Sequence, residues 1–497
     1  MPLAPLLNNR LFQIVFLAYS SLLIFLGRHG GMGISNYDDA FYAQKAKEML
    51  ESGSLWIVNY HGQPSFENSP LPFWVMALVF KLFGISDYTV ALPSALFGAA
   101  TVLVTYRFAE HLFKDRLAAF LAGAILILPG FFVDYARRGM VDIPLTFLVA
   151  AALFCFVKAD GNPRWHLLFG VFTALAVLTK SVLGFFPLVI AFAYSLMARP
   201  GFPLAGRGFY FWAGVTIALV LGSSWYFINV LQLGKWFIQS HFGWLLFRRA
   251  IGEEMAGVVP KSDPFFFTGY LRALLGNYWP WLPFAAAGMV LFGKRAVRDG
   301  DNRCLFIIIW ITVIIGVMSI SRAQVLRYIL SAFPALAILT AKTISDWIPE
   351  KRKDTLIPYM TGMVMLFVLF VNASAIEFSR SVSFSQNSVS VRYLAPVIRL
   401  NTSDNVGNYR LTAWNPRNAV IFYSDRFLSE PVQDAEELMR RLAESTTSTW
   451  LTTADEFEKL KEAFPGKFYL IEAYEKYAYF TAEQNKENIR YDLPKVE

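Results

Sequence analysis

Two neighbouring aspartates, Asp38 and Asp39, stand a short way beyond a long apolar run. Acids and bases recur at the edges of later apolar runs: Glu67 with Asn68, Asp134, Arg137, Arg138, Asp142, Lys180, His241, Arg248, Arg249, Arg322, and Arg327 with Tyr328. A carboxylate can take a proton from a hydroxyl, which is general-base work. Arginine and lysine can hold an anion, arginine through a bidentate fork. Acids and cations on one face could therefore take a proton from a hydroxyl and hold an anion. Each residue also has a plainer use. Asp38, Asp39 and Asp142 could cap helices. Arg137, Arg138 and Lys180 could reach lipid headgroups. A lone histidine such as His241 is more often structural.

The elements that would position these groups are membrane spans. Only 16% of the 497 residues are charged, against about 25% in a soluble protein, and 55% are hydrophobic, with a mean hydropathy of +0.42. A helix needs about 20 apolar residues to cross a bilayer, and by that criterion the chain has about eleven spans. They fall near 11–27, 88–110, 117–133, 143–158, 165–179, 182–198, 209–228, 279–293, 304–320, 328–345 and 356–376. The first has no small-residue cleavage site after it and reads as a retained span. The segment 70–84 is short and aromatic and reads better as an interfacial helix. Cys155 and Cys304 lie in separate apolar runs, so no disulfide framework is expected.

Lysine and arginine in short loops set the orientation. One set of loops holds Lys114 and Arg116, Lys158 and Arg164, Arg199 and Arg207, Lys294 to Arg303, and Lys351 to Lys353. That set faces the cytoplasm, with the N-terminus. The other loops carry the acids above, and also Arg137, Arg138, Lys180, Arg248, Arg249, Arg322 and Arg327. Cations kept on the face where the rule disfavours them suggest a task such as holding an anion. Trp225, Trp236, Trp244, Trp279 and Trp281 read mostly as an interfacial belt.

From about residue 377 the composition turns polar. Segments 419–424, 449–453 and 467–474 read as strands, and 432–445 and 454–464 as helices with acids in their first turns. The fold class is thus an all-α polytopic membrane domain over 1–376, with a small α/β domain over 377–497 on the outer face. Residues 38–50 form an amphipathic helix on the membrane surface, with Phe41, Ala43, Ala46, Met49 and Leu50 on one side and Lys45, Lys47 and Glu48 mostly elsewhere.

The order of five motifs carries more. They are DDAFYA (38–43), FENSPLPFW (66–74), RRGMVDIPLTF (137–147), LTKSVLGFFP (178–187) and RYILSAFP (327–334). Together they resemble the polyprenyl-phosphate-sugar glycosyltransferases of the GT-C class, which include protein O-mannosyltransferases and bacterial aminoarabinose transferases. The resemblance covers about residues 10–345. It implies transfer of a sugar from a lipid-phosphate carrier to a hydroxyl of a lipid, glycan or protein, usually with inversion, in the bacterial inner membrane.

By that resemblance Asp38 is the catalytic base, with Asp39 and Asp142 as further catalytic acids. Lys180, Arg137, Arg138, Arg322, Arg327 and Tyr328 would attend the donor phosphate. Glu67, Asn68, Arg248 and Arg249 would form a substrate loop. No cofactor is required, although Glu67 and His241 could hold a divalent ion. Two motif positions depart from the aminoarabinose type: Phe41 stands where an arginine is usual, and Asn68 where a lysine is.

The implied partners are the lipid-linked donor, the acceptor and the bilayer, with no nucleic acid. The competing reading is a transporter of lipid-linked glycans. It would place charges near the bilayer midplane and on broken helices, and these charges lie at loop edges. A scaffold acting through its tail would not need Asp38, Asp142 and Lys180 on one face.

Overall fold

The computed structural model describes residues 7–27, 34, 38–128, 130–198, 208–248, 266–322, 324–373, 382–403, 405–411, 416–444 and 449–490. The chain opens with an apolar helix, α1 (Arg10–Leu26), whose N-cap Asn9 accepts from the Leu11 and Phe12 amides. Helix α2 (Asp38–Ser52) carries both aspartates in its first turn. A tight hairpin, β1 (Asn59–Tyr60) and β2 (Gln63–Pro64), leads to α3 (Leu71–Phe83). There follow α4 (Asp87–Phe113), α5 (Arg116–Ile127), the short α6 (Phe131–Ala136), α7 (Asp142–Lys158), α8 (Trp165–Lys180), α9 (Phe186–Met197) and α10 (Phe209–Phe237). Helix α10 runs on into a π-helical stretch over Ile238–Arg248. The membrane part closes with α11 (Gly269–Asn277), α12 (Leu282–Lys294), α13 (Asn302–Ile320), a 3-10 turn at Leu326–Ala332, α14 (Phe333–Asp346) and α15 (Glu350–Ala373).

Six helical stretches among the described residues are long and apolar enough to cross a membrane: Asp87–Phe113, Trp165–Met197, Phe209–Arg248, Asn302–Ile320, Leu326–Asp346 and Glu350–Asn372. Arg10–Leu26, Leu71–Phe83 and Arg116–Ile127 are apolar but shorter. The Trp165–Met197 stretch is a hairpin and not one rod. Ser181 has φ +51°, and a Cβ placed on Gly184 would fall 2.1 Å from the Val177 backbone nitrogen. Residues seven apart in a continuing helix are about 10 Å apart along its axis, so the chain reverses here, at the expected turn. The span expected over 117–133 divides into α5 and α6, because the sequence Leu-Pro-Gly at 128–130 cannot continue a helix.

Glycine brings two helices into backbone contact. A Cβ on Gly170 of α8 would meet the Gly214 carbonyl oxygen of α10 at 2.2 Å. This is the small-residue crossing common between membrane helices.

Helix α4 is about 40 Å long at 1.5 Å per residue, and charge ties both of its ends. Just beyond its C-terminus, Asp115 caps α5 through the Ala118 amide at 3.1 Å. The same carboxylate accepts from Ser345 at 2.8 Å, Lys353 at 2.8 Å and Lys342 at 3.2 Å. Burial pushes the Asp115 carboxyl up, but hydrogen bonds from Lys353, the Ala118 amide and Ser345 outweigh it and hold it down at about 2, against 3.8 ordinarily. A depressed carboxyl contributes stability above its ordinary value and loses it as the pH falls through the folded value. Asp115→Asn is therefore expected to cost about 2–3 kcal/mol near neutral pH, the contribution of the lowered carboxyl, while Lys342 keeps Asp346 and Lys353 keeps Glu350 as partners. It is also expected to flatten the loss of stability between about pH 4 and pH 2. Thermal unfolding in detergent across that range checks both.

The tail begins with α16 (Val382–Asn401) and contains β3 (Asn405–Asn408), α17 (Arg417–Ser424), β4 (Phe427–Leu428), α18 (Ala435–Glu444), β5 (Thr449–Thr453), α19 (Ala454–Ala463), β6 (Phe468–Tyr474) and β7 (Tyr477–Ala482). The sheet order is β4-β3-β5-β7-β6. Strand β3 runs parallel to β4 and β5, while β7 is antiparallel to β5 and β6. Residues 419–424, expected as a strand, are helical in α17. The run is short and its first four residues are all apolar, which periodicity alone cannot assign. It buries Ala419, Val420, Ile421 and Phe422, and Phe422 joins the cluster formed by Ala40, Tyr42, Ala43, Met49, Phe73 and Met140. The cysteines Cys155 and Cys304 are free and buried.

Candidate active site

Three carboxylates and three cations meet where α2, α7, the 137–141 turn, the α8 end and the Leu326–Ala332 turn converge. Asp38 opens α2, where a carboxylate is favoured by the helix dipole. It pairs with Arg327 Nη1 at 2.9 Å. Asp39 faces Arg138 Nε at 3.6 Å and is nearly buried, with its side chain 4% exposed. Asp142 opens α7 and pairs with Lys180, the last residue of α8. One Asp142 oxygen, Oδ2, is buried without a hydrogen-bond partner.

Tyr328 joins these pairs. Lys180 Nζ lies 4.7 Å from its ring centre and Arg327 Cζ 5.5 Å, both within cation–π range. Arg327 also lies in the field of Asp142 and Tyr42. Tyr42 is buried on α2, and burial first, then Asp38, push its phenol well above 10. Tyr42 thus presents a neutral hydroxyl to the cluster.

A second layer braces the first. Segment 66–69 crosses between α2 and the reversal at Ser181. Glu67 Oε2 and Asn68 Oδ1 accept from Lys45 at 3.2 and 2.9 Å. Ser69 Oγ accepts from the Ser181 amide at 3.1 Å, and Ser181 Oγ bonds Tyr226 at 2.5 Å. His241 uses both ring nitrogens here, Nδ1 on the Phe66 carbonyl at 2.6 Å and Nε2 on Ser181 Oγ at 3.0 Å.

The placements sort the sequence-derived residues. Asp38, Asp39, Asp142, Lys180, Arg138, Arg327 and Tyr328 come together. Arg137 instead donates to the Gly27 carbonyl at 2.7 Å and ties the turn to the end of α1. Arg322 follows α13 half-buried, and Arg248 ends the π-helical stretch exposed. Arg249 lies outside the described residues. Glu67 pairs with a lysine and His241 with a carbonyl and a hydroxyl, so neither is directed at a shared metal ion in this arrangement. Among the described residues no three His, Cys, Asp or Glu converge as metal ligands. Trp225, expected in an interfacial belt, is buried, and its indole N–H donates to the Trp56 carbonyl at 3.1 Å.

Lys45 and Tyr42 were not singled out from sequence. Lys45 was placed off the apolar face, yet it is wholly buried. Burial lowers its pKa from 10.5 to about 8, with Glu67 pulling the other way. Its spacing was a usable signal: it stands one turn after Phe41, and its ammonium lies 3.7 Å from that ring centre.

The tail seats on the same helix. Lys47 of α2 pairs with Asp425, and the Tyr60 hydroxyl donates to Asn418 Oδ1 at 2.5 Å. At the N-terminal end of α4, Asp87 accepts from Tyr423 and pairs with Arg392, each at 2.9 Å. The Tyr423 oxygen also accepts from the Ile34 amide at 2.8 Å. Removing that hydroxyl leaves a donor and a buried carboxylate short of a partner, a cost of about 1–3 kcal/mol. Tyr423→Phe is therefore expected to speed proteolytic release of the tail and leave the melting of the membrane part unchanged. Limited proteolysis beside a thermal scan checks it.

Residues 67–227 match the family model described as dolichyl-phosphate-mannose-protein mannosyltransferase. A solved structure, ArnT from Cupriavidus metallidurans bound to undecaprenyl phosphate, superposes with a TM-score of 0.69 over 94% of this chain and 97% of that one, at 17% identity. The chain has the GT-C fold. The fold that the five-motif resemblance implies is thus the one observed, and the protein is a multi-pass membrane protein.

The chain is also similar to curated proteins over about two thirds of its length. An uncharacterized protein of Aquifex aeolicus is 27% identical over 67% of this chain. The undecaprenyl phosphate-alpha-4-amino-4-deoxy-L-arabinose arabinosyl transferase of Aeromonas hydrophila is 24% identical over 68% of it. The chain spans 64% and 61% of the length of these two relatives.

Proposed function

We propose that the chain is an integral membrane glycosyltransferase that moves a sugar from a polyprenyl-phosphate donor to an acceptor hydroxyl, with inversion. The observation that supports this best is the convergence of Asp38, Asp39 and Asp142 with Arg327, Arg138 and Lys180 around Tyr328. In this reading the membrane unit covers 1–376, crosses the bilayer about eleven times and keeps its N-terminus cytoplasmic. The domain over 377–497 and the acid helix face the periplasm of a bacterial inner membrane.

The chemistry follows from the charges. Asp38 takes the proton of the acceptor hydroxyl as its oxygen attacks the anomeric carbon. The bond from that carbon to the phosphate oxygen breaks, and its electron pair leaves with the lipid phosphate. Arg327 and Lys180 take up that charge, with Arg138 holding Asp39 alongside. Arg327 is suited to exchange its Asp38 contact for phosphate oxygens, because one guanidinium can serve both. Attack from the face opposite the leaving group inverts the anomeric centre.

The acceptor is the hydroxyl of a lipid, an envelope glycan or a protein. The test is transfer in membranes from a radiolabelled polyprenyl-phosphate-sugar pool, with label followed into lipid, glycan and protein fractions. Label moving only in membranes that hold the protein upholds the reading, and the labelled fraction names the acceptor. Label that crosses the membrane while still attached to its lipid carrier identifies a transporter instead.

A further inference from the structure

Ser181 follows Lys180 directly, and its backbone is unusual. It has φ +51° and ψ −134°, close to the first central position of a type II′ turn, where glycine is usual. A side chain there is strained and persists only when its surroundings over-determine it. Three elements do so. The Ser181 amide donates to Ser69 Oγ at 3.1 Å, in the segment before α3. The Ser181 hydroxyl meets Tyr226 of α10 at 2.5 Å and His241 Nε2 of the π-helical stretch at 3.0 Å.

His241 sets the direction of these bonds. The Phe66 carbonyl only accepts, so Nδ1 carries the ring proton. The ring is 0% exposed, and its nitrogens meet a carbonyl and a hydroxyl rather than a carboxylate, so it stays neutral. Nε2 is then an acceptor, and the Ser181 hydroxyl donates to it. That leaves the Ser181 oxygen to accept from the Tyr226 hydroxyl. Phe237 stacks on the ring at 5.2 Å and Trp225 meets it edge-on at 5.3 Å, which keeps it from turning. The lone pair that a metal ion would need is taken by Ser181, and Glu67 is met by the Lys45 ammonium at 3.2 Å. Glu67 and His241 therefore do not fit a divalent ion, and His241 has another task.

That task concerns Lys180. Its φ of −146° and ψ of +49° carry the chain out of α8, so the conformation of Ser181 fixes where the Lys180 side chain sets out. From there its ammonium reaches Asp142 and lies 4.7 Å from the Tyr328 ring centre. We propose that Tyr226 and His241 are positioning residues for Lys180: through the Ser181 hydroxyl they hold a turn that otherwise suits glycine, and so keep the Lys180 ammonium in the acid–cation cluster. This rests on the transferase reading above.

Transfer by the full chain in membranes, at limiting radiolabelled polyprenyl-phosphate sugar, tests it. Ser181→Ala removes the hydroxyl and keeps the strain, and is expected to slow transfer about 10²-fold, the scale of a misplaced group. Ser181→Gly removes the hydroxyl and the strain together, and is expected to keep about ten times the rate of Ser181→Ala. Tyr226→Phe deletes one hydrogen bond and is expected to cost about tenfold beside serine, but under about twofold once residue 181 is glycine. Binding of undecaprenyl phosphate in detergent gives a second readout. Tyr226→Phe is expected to weaken it in the otherwise intact protein and to leave it unmoved in Lys180→Met, whereas a merely structural tyrosine would act in both.

Ser181→Gly no faster than Ser181→Ala overturns the inference. So does a Tyr226→Phe that is silent, equally costly beside serine and glycine, or still felt in the binding of Lys180→Met. The Tyr226→Phe comparisons decide alone if Ser181→Ala does not fold. An intact protein that neither transfers sugar nor binds undecaprenyl phosphate sinks the transferase reading and this inference with it. Intact transfer together with a silent Tyr226→Phe sinks the inference only.

Discussion

Asp38→Asn is expected to lower the rate of sugar transfer about 10³-fold, within the range for losing a general base. Asparagine keeps the shape of the side chain and can still accept a hydrogen bond from Arg327, but it cannot carry a proton away. The loss should fall on kcat, with the affinity for lipid donor held or slightly improved. Arg327 loses a neighbouring charge and becomes freer to meet phosphate. A stability control is needed, because Arg327 is only 14% exposed and its partner would be neutral. Matched expression and melting, with transfer measured at saturating donor, isolate the chemical effect. Transfer within threefold of the unaltered protein would make Asp38 a helix-capping charge and move the base elsewhere.

Lys180→Met is expected to cost about 10²–10³-fold in kcat/KM, the scale for removing one charge-stabilising donor. Part of the loss should appear as weaker donor binding, since Lys180 would touch phosphate in both ground and transition states. The difficulty is Asp142, which is 1% exposed and pairs with Lys180. Removing the lysine alone leaves that carboxylate buried and unbalanced. The double variant Lys180→Met/Asp142→Asn separates the two effects. If Lys180 acts on the phosphate, the double variant regains stability but not transfer. If it serves only to neutralise Asp142, the double variant regains both.

The sequence made the charged residues legible because they stand at the ends of apolar runs, where a charge is conspicuous. Asp38, Asp142, Lys180 and Arg327 could be found that way, and the order of their motifs pointed to the fold. What it could not supply was pairing. Arg137 and Arg138 are neighbours with the same chemistry, yet one is taken by the Gly27 carbonyl and the other faces Asp39. Only the backbone path of the turn decides which. Lys45 was misplaced for a related reason. Amphipathic reasoning assigns a lysine to water, and here a carboxylate, an amide oxygen and an aromatic face replace water around it. In the tail, 419–424 has the composition of a strand, but its contacts with α2 and α3 side chains favour a helix, an outcome of tertiary packing that a short apolar run does not encode. Apolar runs were legible but their division into helices was not: in the run over 117–133 the Leu-Pro-Gly step separates α5 from α6.

The seating of the tail on α2 bears on how such proteins can be recombined. The boundary near residue 377 looks like a natural place to exchange one outer domain for another. Yet Lys47 reaches Asp425, Tyr60 reaches Asn418, and Asp87 is held by both Tyr423 and Arg392. A foreign tail joined at that boundary would arrive without its sockets. A working chimera must carry residues 38–64 and the start of α4 along with the tail, so the inherited unit is discontinuous in sequence and includes the helix that bears Asp38.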